Sequence, residues 1–167
     1  LLIGFNCFWL NRAVFAFSGF MGIIGGAHSL LTPQLPSGDD WPLLLLFYVK
    51  HAALVFVPII MARSYGLTFR RWDWIRTYGW AVGLSMVVMG FNAILNLYFP
   101  HPGGAIANYM YVWEAPVADH PLVFDWAWPW YLAPLHVALL AHLILLNAAF
   151  RKWSPALLNG ERLRWFE

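Results

Sequence analysis

The side chains able to do chemistry in this sequence are few, and several sit where hydrocarbon would surround them. Lys50 and His51 are adjacent, nine or ten residues into an apolar run. A neutral imidazole can act as acid, base or ligand near pH 7, which makes His51 the candidate catalytic residue. His28 falls near the end of a second apolar run and His136 about halfway along another. Asn92 and Asn96 are four apart and so share a helical face, and Asn108 follows in a loop. Ionisable groups are costly inside a membrane and mark functional sites there. Taken by depth, these residues predict a polar cavity around His51, lined by Lys50, His28, Asn92, Asn96, Asn108 and His136 and open to the outside.

The plainer role for such residues is interhelical hydrogen bonding, measured at under about 1 kcal/mol on average. That role suits Asn92, Asn96 and His142 taken singly. No metal site is predicted: His136 and His142 are six apart and do not share a face, and one cysteine, Cys7, excludes a multi-Cys zinc site. His101, His120 and the nearby acids read as a solvated loop. Gly103-Gly104, after His101-Pro102, reads as a turn.

The elements that position these residues are membrane spans. The chain has 167 residues, 61% apolar and 11% charged, where a soluble domain has roughly a quarter charged. Ten Lys and Arg and eight Asp and Glu cannot cover a water-soluble surface of this size. A formal charge of +2 gives no footprint for nucleic acid. A span needs about 20 apolar residues to cross ~30 Å of hydrocarbon. Four such stretches fit, at residues 13–31, 42–61, 77–99 and 126–150, with a partial one at 1–10 and a tail at 151–167. The expected fold is therefore all-α, a polytopic transmembrane helical bundle of four full spans plus the end of a preceding helix, forming one domain. The initial Leu suggests that the natural start lies upstream.

The loops alternate in charge. Arg12, Arg63, Arg70, Arg71, Arg76, Arg151, Lys152, Arg162 and Arg164 fall on one side, which is nine of the ten basic residues. Asp39, Asp40, Glu114, Asp119 and Asp125 fall on the other. The positive-inside rule then puts the C-terminus in the cytoplasm of a multi-pass protein. The tryptophans sort into two interfacial belts: Trp41, Trp113, Trp126, Trp128 and Trp130 outside, with Trp72, Trp74, Trp153 and Trp165 inside. Ser18, Gly22 and Gly26 put small residues on one face of the first full span, which suits close packing within the chain. Pro58 and Pro134 lie inside spans and should kink them.

Several segments together resemble the YwaF-like integral membrane proteins. They are GGAHSLLTPQL (25–35), FYVKHAALVFVP (47–58), GFNAILNLYF (90–99), NYMYVWEAP (108–116) and WAWPWYLAPL (126–135). The resemblance implies a bacterial plasma-membrane protein of about six or seven spans, this chain holding the later ones. Eukaryotic relatives in that grouping are described as lipid acyltransferases with a membrane Cys nucleophile and a His partner, and by analogy His51 takes the His role. The Cys of that pattern lies in a Leu-Pro-Leu-His-Leu-Cys-like motif, which this chain lacks. Cys7 sits instead in FNCFWLN, near the expected cytoplasmic interface and away from the His51 cavity.

Two functions follow as expectations. One is lipid acyl transfer or hydrolysis, with His51 as base and membrane lipids as partners. The other is a non-catalytic accessory subunit of a respiratory or photosynthetic membrane complex, in which His28, His51, His136 or His142 would ligate a pigment or haem. No cofactor is required by the first.

Overall fold

The computed structural model describes residues 2–33, 40–99, 103–104, 106–115 and 123–158, with side chains over 3–151 of these. Asp39, His101, Pro102, Asp119, His120, Arg162, Arg164 and Trp165 lie outside the described residues, as do the side chains of Lys152 and Trp153. The order is α1 (Leu2–Phe8), α2 (Arg12–Leu31), α3 (Trp41–Tyr65), α4 (Asp73–Tyr98), a 3-10 turn (Tyr109–Tyr111) and α5 (Leu132–Leu158). The fold is all-α, and no strand occurs among the described residues. The helices α2, α3 and α4, and α5 over Leu132–Arg151, are each long and apolar enough to cross a membrane. Large apolar side chains such as Leu46, Val49, Phe56, Met86, Phe91 and Leu145 remain exposed along them, as expected of helices that meet lipid.

Local chemistry fixes the helix ends. Asn11 caps α2, its Oδ1 accepting from the backbone of Ala13 and Val14 at 2.9 and 3.1 Å. At the other end of α2 the backbone N–H and the hydroxyl of Thr32 both donate to the His28 carbonyl, and Pro33 follows. Gly66, at φ 69°, closes α3 in the left-handed conformation that glycine adopts without penalty, so α3 runs to Tyr65 rather than 61. Asp73 accepts from the Arg70 backbone N–H at 2.7 Å, so α4 starts four residues before 77. Residues 126–131 turn instead of joining α5, with Trp130, Leu132 and Ala133 bonding back to Ala127, Pro129 and Trp130.

The chain forms two compact units, residues 1–77 with 142–167, and residues 78–141. In the first, α1 packs on α2 and α3. Phe69 stacks on Phe20 with centroids 3.9 Å apart and also meets Phe15 and Phe150. Beside this cluster Arg12 pairs with the buried carboxylate of Asp73, and Asn147 donates to the Arg70 carbonyl at 3.1 Å. In the second unit the segment 106–115 is fastened to the far end of α4. Tyr131 is buried there, its hydroxyl donating to the Tyr111 carbonyl at 2.7 Å.

Candidate functional site

His51 is positioned by a glycine crossing. A Cβ at Gly26 would lie 2.8 Å from the His51 carbonyl oxygen, and one at Gly22 would lie 3.1 Å from the Leu54 carbonyl oxygen. Only residues without a side chain let α2 approach the α3 backbone that closely, so the small-residue stripe packs within the chain. The imidazole is half-buried and rests on Phe47, with ring centroids 4.2 Å apart. Its Nδ1 is 2.7 Å from the Phe47 carbonyl oxygen one turn earlier. A carbonyl can only accept, so Nδ1 carries a proton, and in the neutral imidazole Nε2 then holds the lone pair. That tautomer is the one a general base needs. Lys50, beside it in sequence, is exposed and makes no hydrogen bond or ion pair among the described residues.

The other predicted residues each engage partners of their own. His28 meets His142 in the first unit, Nε2 to Nε2 at 3.2 Å. In the second unit His136 Nδ1 lies 3.2 Å from the Tyr78 hydroxyl, in the second turn of α4 and far along that helix from Asn92 and Asn96. His136 and His142 thus serve different partners, as their spacing of six requires.

The three asparagines are committed to backbone. Asn92 is fully buried; its Oδ1 accepts from the Tyr109 N–H and its Nδ2 donates to the Tyr109 carbonyl, both at 3.1 Å. Asn96 grips Ala107 in the same two-bond fashion, at 2.7 and 3.0 Å. Asn108 Oδ1 accepts from the N–H groups of Trp113 and Glu114, and its Nδ2 donates to the Glu114 carbonyl. Each amide thereby replaces a missing peptide partner in a segment that has only the short 3-10 turn Tyr109–Tyr111 as regular structure among the described residues. The segment they hold is strained: Met110 and Tyr111 have φ of 59° and 52°, the left-handed region that side-chain-bearing residues avoid. Trp128 Nε1 adds a bond to the Val112 carbonyl. Burial, and then the Glu114 carboxylate, raise the Tyr131 phenol above its ordinary range, so it stays a donor to Tyr111.

The sequence reading missed the Arg12–Asp73 pair, because Arg12 served there only as a topological charge and Asp73 had no role. It also gave His142 no specific partner. The signal was present for both: a charge at the first residue of a span and a histidine within one each need a partner. Cys7 is exposed and unpaired on α1. Among the described residues no group of three His, Cys, Asp or Glu side chains could hold a metal.

No curated protein and no solved structure matches the chain. The kinship with YwaF-like proteins suggested by its motifs does not hold. Those motifs are short runs of interfacial aromatics, turn prolines and membrane asparagines, which bilayer physics favours in many unrelated helical proteins. The model of the TMEM164 family, by contrast, matches residues 1–147.

Proposed function

We propose, from the premise that the chain belongs to the TMEM164 family, that it supplies the acid–base centre of a membrane-embedded lipid acyl-transfer site, with His51 as the general base. The observation that carries this reading is the hydrogen bond from His51 Nδ1–H to the Phe47 carbonyl, which reserves Nε2 as the proton acceptor. The setting supports a lipid ester as substrate, since the helix that carries His51 is apolar enough to lie in the bilayer. Nε2 takes the proton from an acceptor hydroxyl as its oxygen adds to the ester carbonyl carbon. The tetrahedral adduct then collapses, the bond to the original alcohol oxygen breaks, and the imidazolium returns its proton to that oxygen. Asn92, Asn96 and Asn108 are spent on backbone, which leaves Lys50 as the donor for developing negative charge. The loop charges favour a cytoplasmic C-terminus.

The test is acyl transfer from an acyl-labelled phospholipid to a lysophospholipid by the full-length protein in nanodiscs. His51→Ala and His51→Gln are expected to lower the rate by about 100-fold or more, the usual contribution of a positioned base. Unchanged transfer in a monodisperse His51→Gln protein overturns the assignment.

A further inference from the structure

Within residues 78–141, α4 and α5 touch near one end of α4 and then differ in reach. The Tyr78 hydroxyl lies 3.2 Å from His136 Nδ1, which sets the two helices side by side at that level. From residue 78, α4 continues to Tyr98, a rise of about 30 Å, whereas from residue 136 α5 extends back only to Leu132, about 6 Å. Both lead the same way, since Tyr131, just ahead of α5, bonds to Tyr111, whose near neighbour Tyr109 is held by Asn92 of α4. The start of α5 thus stops about 24 Å short of the end of α4, and two touching side chains make up about 10 Å of that at most. With 26 residues, α4 is about 39 Å long, about 9 Å more than the hydrocarbon it crosses. Even if all of that excess protrudes at the far end, about 5 Å or more of the gap above α5 falls within the hydrocarbon.

The irregular chain between the helices fills this gap. Asn96 holds Ala107 and Asn92 holds Tyr109, so two residues of extended chain, about 7 Å, match four residues down the helix, about 6 Å. The chain therefore runs back along α4 toward its middle. We propose that residues 106–112 and 126–131 are re-entrant: they enter the membrane at the far end of α4 and turn Tyr109, Met110, Tyr111, Trp128 and Trp130 toward lipid. Irregular backbone survives at membrane depth only where protein satisfies its polar groups. Asn92, Asn96, Trp128 and Tyr131 do so here, giving their side-chain polar atoms to the backbone of Ala107, Tyr109, Val112 and Tyr111. The five outward side chains are all exposed, and Tyr and Trp favour the boundary between headgroups and acyl chains. The flanking helices expose Phe91, Ile94, Leu97 and Val137, so the aromatic face continues a surface that lipid already covers. Glu114 and Asp125, exposed charges that follow the first stretch and precede the second, mark where the chain meets water. None of this depends on the role given to His51.

The experiment measures depth with nitroxide labels on single cysteines in the full chain carrying Cys7→Ser, in phosphatidylcholine nanodiscs. Collision with oxygen reports hydrocarbon and collision with a water-soluble nickel chelate reports water. Phe91→Cys, Ile94→Cys and Leu97→Cys, at exposed positions of α4, supply the ruler. Met110→Cys and Trp130→Cys are the two probes, and both side chains are exposed, so their replacement leaves packing alone. Each should read at or below the level of Phe91, about 9 Å deeper than Leu97, while Asp125→Cys should read shallower than Leu97. Chelate collision at both probes equal to that at Asp125 overturns the proposal and makes the segment an ordinary loop in water. Protection of both from oxygen and chelate alike also overturns it, because protein and not lipid then covers the aromatic face.

Discussion

The glycine crossing of α2 and α3 and the asparagine-held segment after α4 use polar groups in opposite ways. At the crossing, backbone packs on backbone, and the histidine beside it spends only one ring nitrogen, on its own helix. After α4, Asn92 and Asn96 each spend both amide groups on one loop residue, and Asn108 satisfies two backbone donors and one acceptor. A polar side chain whose hydrogen-bonding capacity is fully used holds structure, whereas one with capacity left over can act on something else. By that criterion His51 and Lys50 separate from the asparagines, although all of them looked alike as polar residues in apolar runs.

The largest effect is expected where the crossing itself is blocked. A Cβ at Gly26 meets the His51 carbonyl at 2.8 Å, Val55 Cγ2 at 2.9 Å and Leu54 Cβ at 3.1 Å. Two of those atoms cannot swing away, so Gly26→Val must push the helices apart. The cost is about 3 kcal/mol, at the upper end of overpacking, together with loss of any activity that depends on His51. Gly25 has nothing within 4 Å of its Cβ position, so Gly25→Ala should be neutral or slightly stabilising. Thermal unfolding of the two variants in the same detergent measures the contrast. Equal melting temperatures would show that the crossing is not close-packed.

Next comes the clamp. Asn92→Ala removes two hydrogen bonds and leaves the Tyr109 N–H and carbonyl without partners, a loss of about 2 kcal/mol. Asn96→Ala should cost about 1 kcal/mol, because its half-exposed site lets water replace the amide. Hydrogen exchange should localise the damage, with protection lost at the Tyr109 amide in the first variant and at the Ala107 amide in the second. If both variants instead lose protection throughout α4, the asparagines serve the helix and not the loop.

Much of this architecture was legible from the residues. Length and hydropathy gave all four spans, since crossing about 30 Å of hydrocarbon leaves few other ways to arrange such runs. The spacing of Gly22 and Gly26 gave the close-packed face. What could not be read was pairing. Whether His142 meets His28 depends on how α2 and α5 are inclined, and counting residues along each helix does not supply that. The same holds for Asn92 and Asn96: four-residue spacing put them on one face, but only the path of the returning segment shows that this face meets loop backbone. The end of α3 shifted by four residues where Gly66 caps it, and the start of α5 by six where the turn over 126–131 decided the matter instead of hydrophobicity, while α5 runs on to Leu158, eight residues past the expected 150.

The smallest prediction probes the cost that the clamp offsets. Met110 stands at φ 59° and ψ 13°, a conformation disfavoured by about 1–2 kcal/mol for a residue with a Cβ, and its side chain is 45% exposed, so little packing depends on it. Met110→Gly removes that strain but gives the unfolded chain about 0.5–1 kcal/mol of extra freedom. The net result is a stabilisation of about 0.5 kcal/mol. Met110→Val should go the other way, by about 1 kcal/mol, since a β-branched side chain tolerates the left-handed region least. Combined with Asn92→Ala, the glycine should recover part of the lost stability, because a segment that is no longer strained needs its clamp less. Strict additivity of the two changes would mean that the asparagine bonds and the backbone strain are uncoupled, and that the clamp holds the loop for some reason other than its conformation.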